Sequence, residues 1–348
     1  MAVTTFAAID ISSYEIAMKI FEFSKKGGFR TVDDIRYRLN LGVGVYSGGT
    51  MEPDKVDTIC EVLNDFKRIM SEYGVKEYRA CTTSVFREMK NPIIIIEQIL
   101  RRTGVHVEVL SNAEQHFLGY KSIAAIENGF KKMIQKGTAI LDVGGGNLQI
   151  SLFDKDALVT TQNIRMGSLR VRERLAGIQS ETEHYEEMVE ELIWNEVSSF
   201  KKMYLKDRKI ENIMLIGDVF TDSVYQNIEE KTTKIISREN FNTWYEKIIR
   251  QSPMELAVKL GIPLENASLM YPSAVIYKCL IDMMEAEHVW IPGVHMTRGI
   301  AYEYAEQMKL QKGSHNFEND ILMAAKNIGK RYAVNRPHVQ NLEMTALA

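Results

Sequence analysis

The chain has 348 residues, 45% of them hydrophobic and 26% charged, with a formal net charge of −3 at pH 7. This length suits two domains rather than one compact core, and the charge argues against a broad nucleic-acid surface. The three cysteines form no zinc pattern, the N-terminus has no signal-peptide pattern, and the most apolar run, "PIIIIEQIL", is too short to span a bilayer. We therefore expect a cytoplasmic protein with neither nucleic acid nor membrane as a partner.

The first part of the chain alternates strand and helix patterns, which is typical of an α/β domain. Apolar alternation predicts strands at Phe6–Ile11, Ile16–Phe23, Asp34–Leu39, Gly42–Tyr46, "EYRACTTS" (running into a loop) and "VHVEVL". Helical spacing of apolar residues and an Asn-Pro start predict helices at Pro53–Tyr73, Pro92–Thr103 and Asn112–Lys132.

The pattern then restarts with "AILDVGGGNLQISLF", which predicts a hairpin, and continues with the short strands "NIMLIGD" and "HVWIPGV". The predicted helices of this part are Thr182–Leu205, Arg238–Leu260, Tyr271–Ala286 and Arg298–Lys309.

Two segments 132 residues apart are similar: "AIDISSYEIAMKIF" around Asp10 and "ILDVGGGNLQISLF" around Asp142. Each reads as apolar strand, aspartate, small or glycine-rich turn, and a second strand. A repeat at this distance indicates a duplicated domain rather than a solenoid, with a ligand held in the cleft between the copies. Three successive glycines favour a loop whose backbone N–H groups approach a phosphate. Chance similarity of two hairpins is the alternative.

Four stretches, in order, resemble the exopolyphosphatase/guanosine pentaphosphate phosphohydrolase (Ppx/GppA) family of the actin-like, sugar-kinase and heat-shock ATPase superfamily. They are "AAIDISSYEI", "RACTTSVFREMKNP", "VEVLSNAEQHFLGYKS", and "ILDVGGGNLQI" followed by "IRMGSLRVRE". The resemblance implies an α/β fold of two duplicated actin-like (ribonuclease H-like) domains with a cleft between them. It places the first domain at residues 1–124, completed by a helix at 298–312, and the second at 125–297. The remaining residues, 313–348, resemble a C-terminal helix and the start of an HD-like helical extension.

The family's reaction removes a terminal phosphate from inorganic polyphosphate or guanosine pentaphosphate, with Mg²⁺ (or Mn²⁺) as cofactor. The resemblance implies that Glu114 is the catalytic carboxylate and that Asp10, Asp142 and Gln149 hold the metal. It implies substrate binding by Ser13, Tyr14, Thr83, Ser84, Arg87, Gly144, Gly145, Gly146, Asn147 and Gly167. The alternatives are that Asp142 only caps a turn, that Glu114 is a solvated residue of a first helical turn, and that Arg87 forms a surface salt bridge.

Several residues depart from the family pattern at the expected site. Ser12 replaces a glycine, Tyr14 an asparagine, and Asn147 with Leu148 a Ser-Thr pair. Gln149 replaces a glutamate, and a glutamine can offer an oxygen to a cation but carries no charge and cannot act as a base.

These departures leave two hypotheses open. The first is an exopolyphosphatase-type enzyme. The second is a weakened member that binds or senses polyphosphate or guanosine tetra- or pentaphosphate without efficient turnover. An ATP-dependent kinase is disfavoured because no adenosine-site glycine motif follows "IGD". A homodimer is expected only by analogy with similar proteins.

Overall fold

The computed structural model describes residues 4–24, 28–126, 129–175, 185–217, 219–227, 234–311, 313 and 315–347. These residues form two β-sheets with helices packed on both faces of each. The α/β class expected from the sequence is confirmed.

The first sheet has five strands in the order β3-β2-β1-β4-β5. They are β1 (Thr4–Ile11), β2 (Glu15–Ser24), β3 (Gly28–Arg38), β4 (Glu77–Thr82) and β5 (Val107–Val109). Strands β1, β2 and β3 form an antiparallel meander, and β4 and β5 run parallel to β1.

The second sheet has six strands in the order β10-β11-β9-β6-β7-β8. They are β6 (Thr138–Val143), β7 (Leu148–Asp154), β8 (Ala157–Ile164), β9 (Asn212–Ile216), β10 (Ile235–Ser237) and β11 (His288–Trp290). From β6, as from β1, two strands of an antiparallel meander lie on one side and two parallel strands on the other, here β9 and β11, with β10 added antiparallel at the edge. Because the two sheets share this topology, the sequence repeat reflects a duplicated unit and not chance.

Fifteen α-helices occur among the described residues. They are α1 (Val45–Gly48), α2 (Pro53–Glu72), α3 (Ser84–Arg87), α4 (Pro92–Thr103), α5 (Asn112–Ala124), α6 (Gly129–Met133), α7 (Ser168–Leu175), α8 (Tyr185–Phe200, continued by a π-turn at Lys201–Leu205), α9 (Val219–Asn227), α10 (Arg238–Ile249), α11 (Pro253–Leu260), α12 (Leu264–Met284), α13 (Met296–Gln307), α14 (Phe317–Arg331) and α15 (Arg336–Leu347). No helix among the described segments is long and apolar enough to cross a bilayer.

Some predicted elements were wrong. The strand predicted at Gly42–Tyr46 is a turn leading into α1. The helix predicted at Arg238–Leu260 is two helices, because a second one starts at Ser252-Pro253, where Ser252 and Glu255 form a capping box. The helix predicted at Asn112–Lys132 ends as α5 at Ala124. Strands β8 and β10 were not predicted. The start of the helix predicted at Thr182–Leu205 lies outside the described residues.

The C-terminal helices pack in two different places. Helix α13 lies against β1, β2 and α5, and Gly299 lets the α13 backbone approach the backbone of Leu118. Helix α14 packs on β8, where the Asp320 carboxylate accepts a hydrogen bond from the N–H of Leu158 (3.1 Å). The domain limits and the HD-like nature of residues 313–348 stay predictions.

Candidate active site

A cleft between the two sheets collects the turns of both hairpins and the ends of the central strands. Nine predicted site residues line it: Asp10, Ser13, Tyr14, Thr83, Ser84, Asp142, Gly144, Gly145 and Asn147. Residues not singled out for the site by the sequence complete the wall, among them Glu15, Gln115 and His295. The duplicated topology therefore brings most of the predicted substrate and metal residues into one place.

The two hairpin turns are built alike. In the first, the N–H of Ser12 donates to the carbonyl of Glu15 (2.9 Å), and in the second the N–H of Gly144 donates to the carbonyl of Asn147 (2.9 Å). Neither Ser12 nor Gly144 has a positive φ. The serine that replaces the family glycine is therefore accommodated without backbone strain.

The glycines of the second turn are in close contact with the protein itself. A Cβ on Gly145 would lie 2.9 Å from the Cβ of Ser13, and one on Gly146 would overlap the hydroxyl of Tyr46. A Cβ on Gly167 would overlap the backbone of Gly144 and Gly145. Glycines are thus required whatever the ligand, at positions 145 and 146 by contact between the two domains and at position 167 by contact with the loop itself.

Asp10 and Asp142 occupy equivalent positions, one residue before the ends of β1 and β6. Burial, followed by the charges of Glu15 and Asp142, raises the pKa of Asp10 to about 8. Burial raises the pKa of Asp142 to about 7. Gly217, at φ +102°, lies directly against the Asp142 carboxylate. Two carboxylates that line one cleft repel each other when both are charged, and either a proton or a cation would relieve that repulsion.

These residues fit a divalent cation. Asp10 Oδ1 is shielded from solvent and has no hydrogen-bond partner among the described residues. Mg²⁺ is usually held by one or two carboxylates together with waters and substrate phosphates, and Asp10 and Asp142 supply that set. The described part of the chain contains no cluster of three or more His, Cys, Asp and Glu side chains that could hold a metal. Gln149 is buried opposite Asp142 on β7 and is not among the described residues that line the cleft.

A row of ionisable side chains in contact with one another begins at Glu15, beside Asp10. Burial raises the pKa of Glu15, although Arg36, 3.7 Å away, opposes this effect. Arg36 reaches across to Asp222 (3.1 Å), and Asp222 also contacts His295 Nε2 (3.0 Å). Glu15 directly follows Tyr14 in the first motif, but its charged neighbours come from β3 and from the second half of the chain, so the local sequence could not reveal them.

Glu114 is exposed at the start of α5 and does not line the described cleft. Its carboxylate accepts a hydrogen bond from the N–H of Ser111 (2.8 Å), and Ser111 Oγ accepts one from the N–H of Glu114 (3.2 Å). This capping box lowers the pKa of Glu114. The next residue, Gln115, lines the cleft and accepts a hydrogen bond from Arg87 (2.9 Å). Arg87 also donates to the carbonyl of Leu110 (2.6 Å), so its guanidinium is held behind the cleft wall.

A family model described as the Ppx/GppA phosphatase family matches residues 20–308. The chain belongs to this family. It is 21% identical to a "Bifunctional 3-dehydroquinate synthase/phosphatase" of Fusobacterium nucleatum, over 65% of this chain and 34% of that protein. It is 18% identical to a "Guanosine-5'-triphosphate,3'-diphosphate pyrophosphatase" of Vibrio parahaemolyticus, over 87% of this chain and 60% of that protein.

Among solved structures, an exopolyphosphatase from Cytophaga hutchinsonii superimposes with a TM-score of 0.78 at 17% identity, covering 89% of this chain and all of that one. This likeness confirms the two-domain actin-like fold. The chain spans less than two thirds of the length of the two curated relatives just named.

Proposed function

We propose that this protein is a phosphohydrolase that releases the terminal phosphate of inorganic polyphosphate or guanosine pentaphosphate. The observation that carries the proposal is the cleft itself, in which two equivalent hairpin turns face one another, each beside an aspartate. The names of the relatives, an exopolyphosphatase and a guanosine-5'-triphosphate,3'-diphosphate pyrophosphatase, support both substrates. In the reaction a water oxygen bonds to the terminal phosphorus and the anhydride P–O bond breaks, which gives inorganic phosphate and a shortened chain.

The roles follow from the positions of the residues. Asp10 and Asp142 would hold Mg²⁺ or Mn²⁺, which when bound neutralises negative charge on the phosphates. The hydroxyls of Ser13, Thr83 and Ser84 line the cleft and can donate to phosphate oxygens. Glu114 stays our proposed catalytic carboxylate, and it must leave its cap on Ser111 to orient water in the cleft. Glu15, which already lies there, is the other carboxylate that could do so.

The capping role of Glu114 can be separated from a catalytic role with a matched pair of variants. Glu255 caps α11 in the same way, with its carboxylate 2.8 Å from the N–H of Ser252. Both Glu114→Ala and Glu255→Ala remove the glutamate of a capping box and should lower stability slightly and to a similar extent. Only Glu114→Ala should lower the rate of phosphate release from long-chain polyphosphate with Mg²⁺, by about 100-fold or more.

Phosphate release is measured for both variants, for Glu15→Gln and for the wild type. Equal activity of Glu114→Ala and Glu255→Ala would mean that Glu114 is only a cap, and loss of activity in Glu15→Gln alone would transfer the role to Glu15. No release from the wild type, with Mg²⁺ or Mn²⁺ and with either substrate, would contradict the proposed enzyme.

One observation favours a second candidate, a protein that binds these phosphate compounds without efficient turnover. In the first turn of α5 the residue that lines the cleft is the neutral Gln115, and the Glu114 carboxylate is engaged with Ser111. The names of the relatives favour the enzyme. Gain of phosphate release in Gln115→Glu or Gln149→Glu, from an inactive wild type, would support the second candidate. A homodimer stays a proposal by analogy.

A further inference from the structure

Three hydroxyl groups close one end of the phosphate cleft. The Tyr46 hydroxyl is hydrogen-bonded to Ser13 Oγ and lies 3.0 Å from Ser84 Oγ, and the two serine oxygens are 3.3 Å apart. Ser13 comes from the first hairpin and Ser84 from the start of α3, just after β4. Both serines line the cleft, whereas Tyr46 stands behind them.

Tyr46 also touches the glycine loop of the other domain. Its hydroxyl lies against Gly146, so closely that a Cβ there would overlap it. The Arg170 guanidinium stacks 4.3 Å from the centre of the Tyr46 ring, and Arg170 Nε donates to the carbonyl of Gly146 (2.9 Å). The ring is therefore fixed between two phosphate-binding loops and an arginine, with its hydroxyl directed at the cleft wall.

Beyond the Tyr46 ring lies a second cavity, which we call the outer basin. It is lined by Tyr46, Ser47, Glu88, Arg165, Arg170, Glu173, Arg174 and Glu196. Its three arginines are matched by three glutamates, and Glu88 pairs with both Arg170 (2.6 Å) and Arg165 (3.1 Å). A charge-balanced basin does not attract a polyanion strongly. The basin is thus a poor exit for a phosphate chain, and Tyr46 separates it from the cleft.

We infer that Tyr46 is a specificity-determining residue that closes the cleft at the Ser13–Ser84 wall, so that only the end of a phosphate chain can enter. This inference rests on the proposed function and adds to it the reason why the terminal phosphate is selected. A chain whose terminus meets the wall gains the hydroxyl and backbone donors of both loops. An internal phosphate cannot reach these donors. One of the two phosphate groups bonded to it would have to pass through the Ser13–Ser84 wall and the Tyr46 ring behind it.

The test compares chains with and without a free end. Polyphosphate attached to a surface through one terminus keeps a free end, and polyphosphate attached through both termini has none. Association is read during the first seconds in Mg²⁺-containing buffer. We expect the wild type to bind the doubly attached chain at least about tenfold more weakly, because charged hydrogen bonds at the terminus are lost.

Two variants separate the ring from its hydroxyl. Tyr46→Phe keeps the wall, so it should keep the preference for free ends while binding about threefold to tenfold more weakly. Tyr46→Ala removes the ring behind the Ser13–Ser84 wall and should weaken the preference for free ends. Tyr37→Ala is the control, since Tyr37 is a partly buried tyrosine on β3 that packs on Phe66 and does not line the cleft.

A folded Tyr46→Ala protein that keeps the wild-type preference would overturn the inference, as would an equal loss of preference in Tyr37→Ala.

Phosphate release is measured on the same samples. A wild type that prefers free ends but releases no phosphate contradicts the proposed hydrolysis alone. A wild type that releases phosphate, with no change of preference in Tyr46→Ala, contradicts the role of Tyr46 alone. A wild type that binds neither chain contradicts both.

Discussion

At the scale of single residues, the glycine loop shows how one feature can have two causes. The run Gly144–Gly146 predicts a loop that phosphate can approach, and the loop does line the cleft at Gly144 and Gly145. The structure adds that Gly145 and Gly146 meet Ser13 and Tyr46 of the first domain. A side chain at either position would push the two domains apart even with no ligand present.

Gly167 and Gly144 form a matched pair for a stability test. A Cβ on Gly167 would overlap the backbone of the loop, whereas the nearest atom to a Cβ on Gly144 is the carbonyl oxygen of Asn147, 3.5 Å away. We expect Gly167→Ala to lower the free energy of unfolding by about 1 to 3 kcal/mol and Gly144→Ala to change it by less than about 1 kcal/mol. Urea unfolding followed by circular dichroism gives both values. Similar losses in the two variants would refute this reading of the contacts.

At the scale of elements, α5 connects the cleft to the second sheet. Its first turn carries Glu114 and Gln115, and its buried face carries His116, whose Nδ1 lies 2.8 Å from Thr161 Oγ1 on β8. Thr161 is in turn 3.0 Å from Ser151 on β7. This buried polar network fixes the helix on the sheet and so fixes the residues at its start.

The network makes stability depend on pH in a defined direction. Burial, with a further contribution from Arg87, lowers the pKa of His116 from 6.5 to about 4. Between these values the unfolded chain binds a proton that the folded chain does not. Stability should therefore fall as the pH falls through this window, by at most about 3 kcal/mol.

Urea unfolding at pH 7 and at pH 4.5 measures this loss. His116→Gln should remove the His116 contribution, and His106→Gln, at an exposed position on the loop before β5, should leave the pH dependence unchanged. An unaltered pH dependence in His116→Gln would show that this histidine is not responsible.

At the scale of the whole molecule, the two duplicated units each contribute one aspartate to the same cleft. Asp10 belongs to the first sheet and Asp142 to the second, and the charge of Asp142 adds to the effects of burial and of Glu15 in raising the pKa of Asp10. Arg36 and Asp222 join the two halves beside them (3.1 Å). A cation bound by both aspartates would therefore bridge the two domains and stabilise the folded protein.

Metal addition tests this bridge directly. We expect Mn²⁺ at about 100 times its dissociation constant to stabilise the wild type by roughly 2.7 kcal/mol, and to stabilise Asp142→Asn much less. At a fixed Mn²⁺ concentration the effect should grow from pH 6 to pH 8, because the metal displaces protons from carboxylates whose pKa values are raised. Thermal unfolding with Mn²⁺ or with EDTA measures it, and Asp207→Asn, on the exposed surface, is the control. Equal stabilisation of both variants would place the metal elsewhere.

Much of the fold was determined by the sequence itself. The repeat around Asp10 and Asp142 predicted two duplicated α/β units and the cleft, because strand–turn–strand patterns are local and survive in the residue order. Short elements were missed or mistaken because a few residues carry too little of such a pattern. The three-residue strand β10 carries too little periodicity to be recognised. Gly42–Tyr46 forms a turn whose N–H of Gly42 donates to the carbonyl of Ser13, a contact that the local sequence does not show.

Tertiary structure alone decided which side chains share the site. Glu114 and Gln115 are neighbours in sequence, but a helix turns successive side chains by about 100°. The Glu114 side chain therefore caps the helix, whereas the Gln115 side chain lines the cleft. Tyr46 belongs to none of the predicted motifs. It reaches Ser13 and Ser84 through the folding of the first half of the chain, and Gly146 through the approach of the second half. Motifs are encoded by residues close in the chain, whereas the shape of a cleft depends on contacts between residues far apart in it.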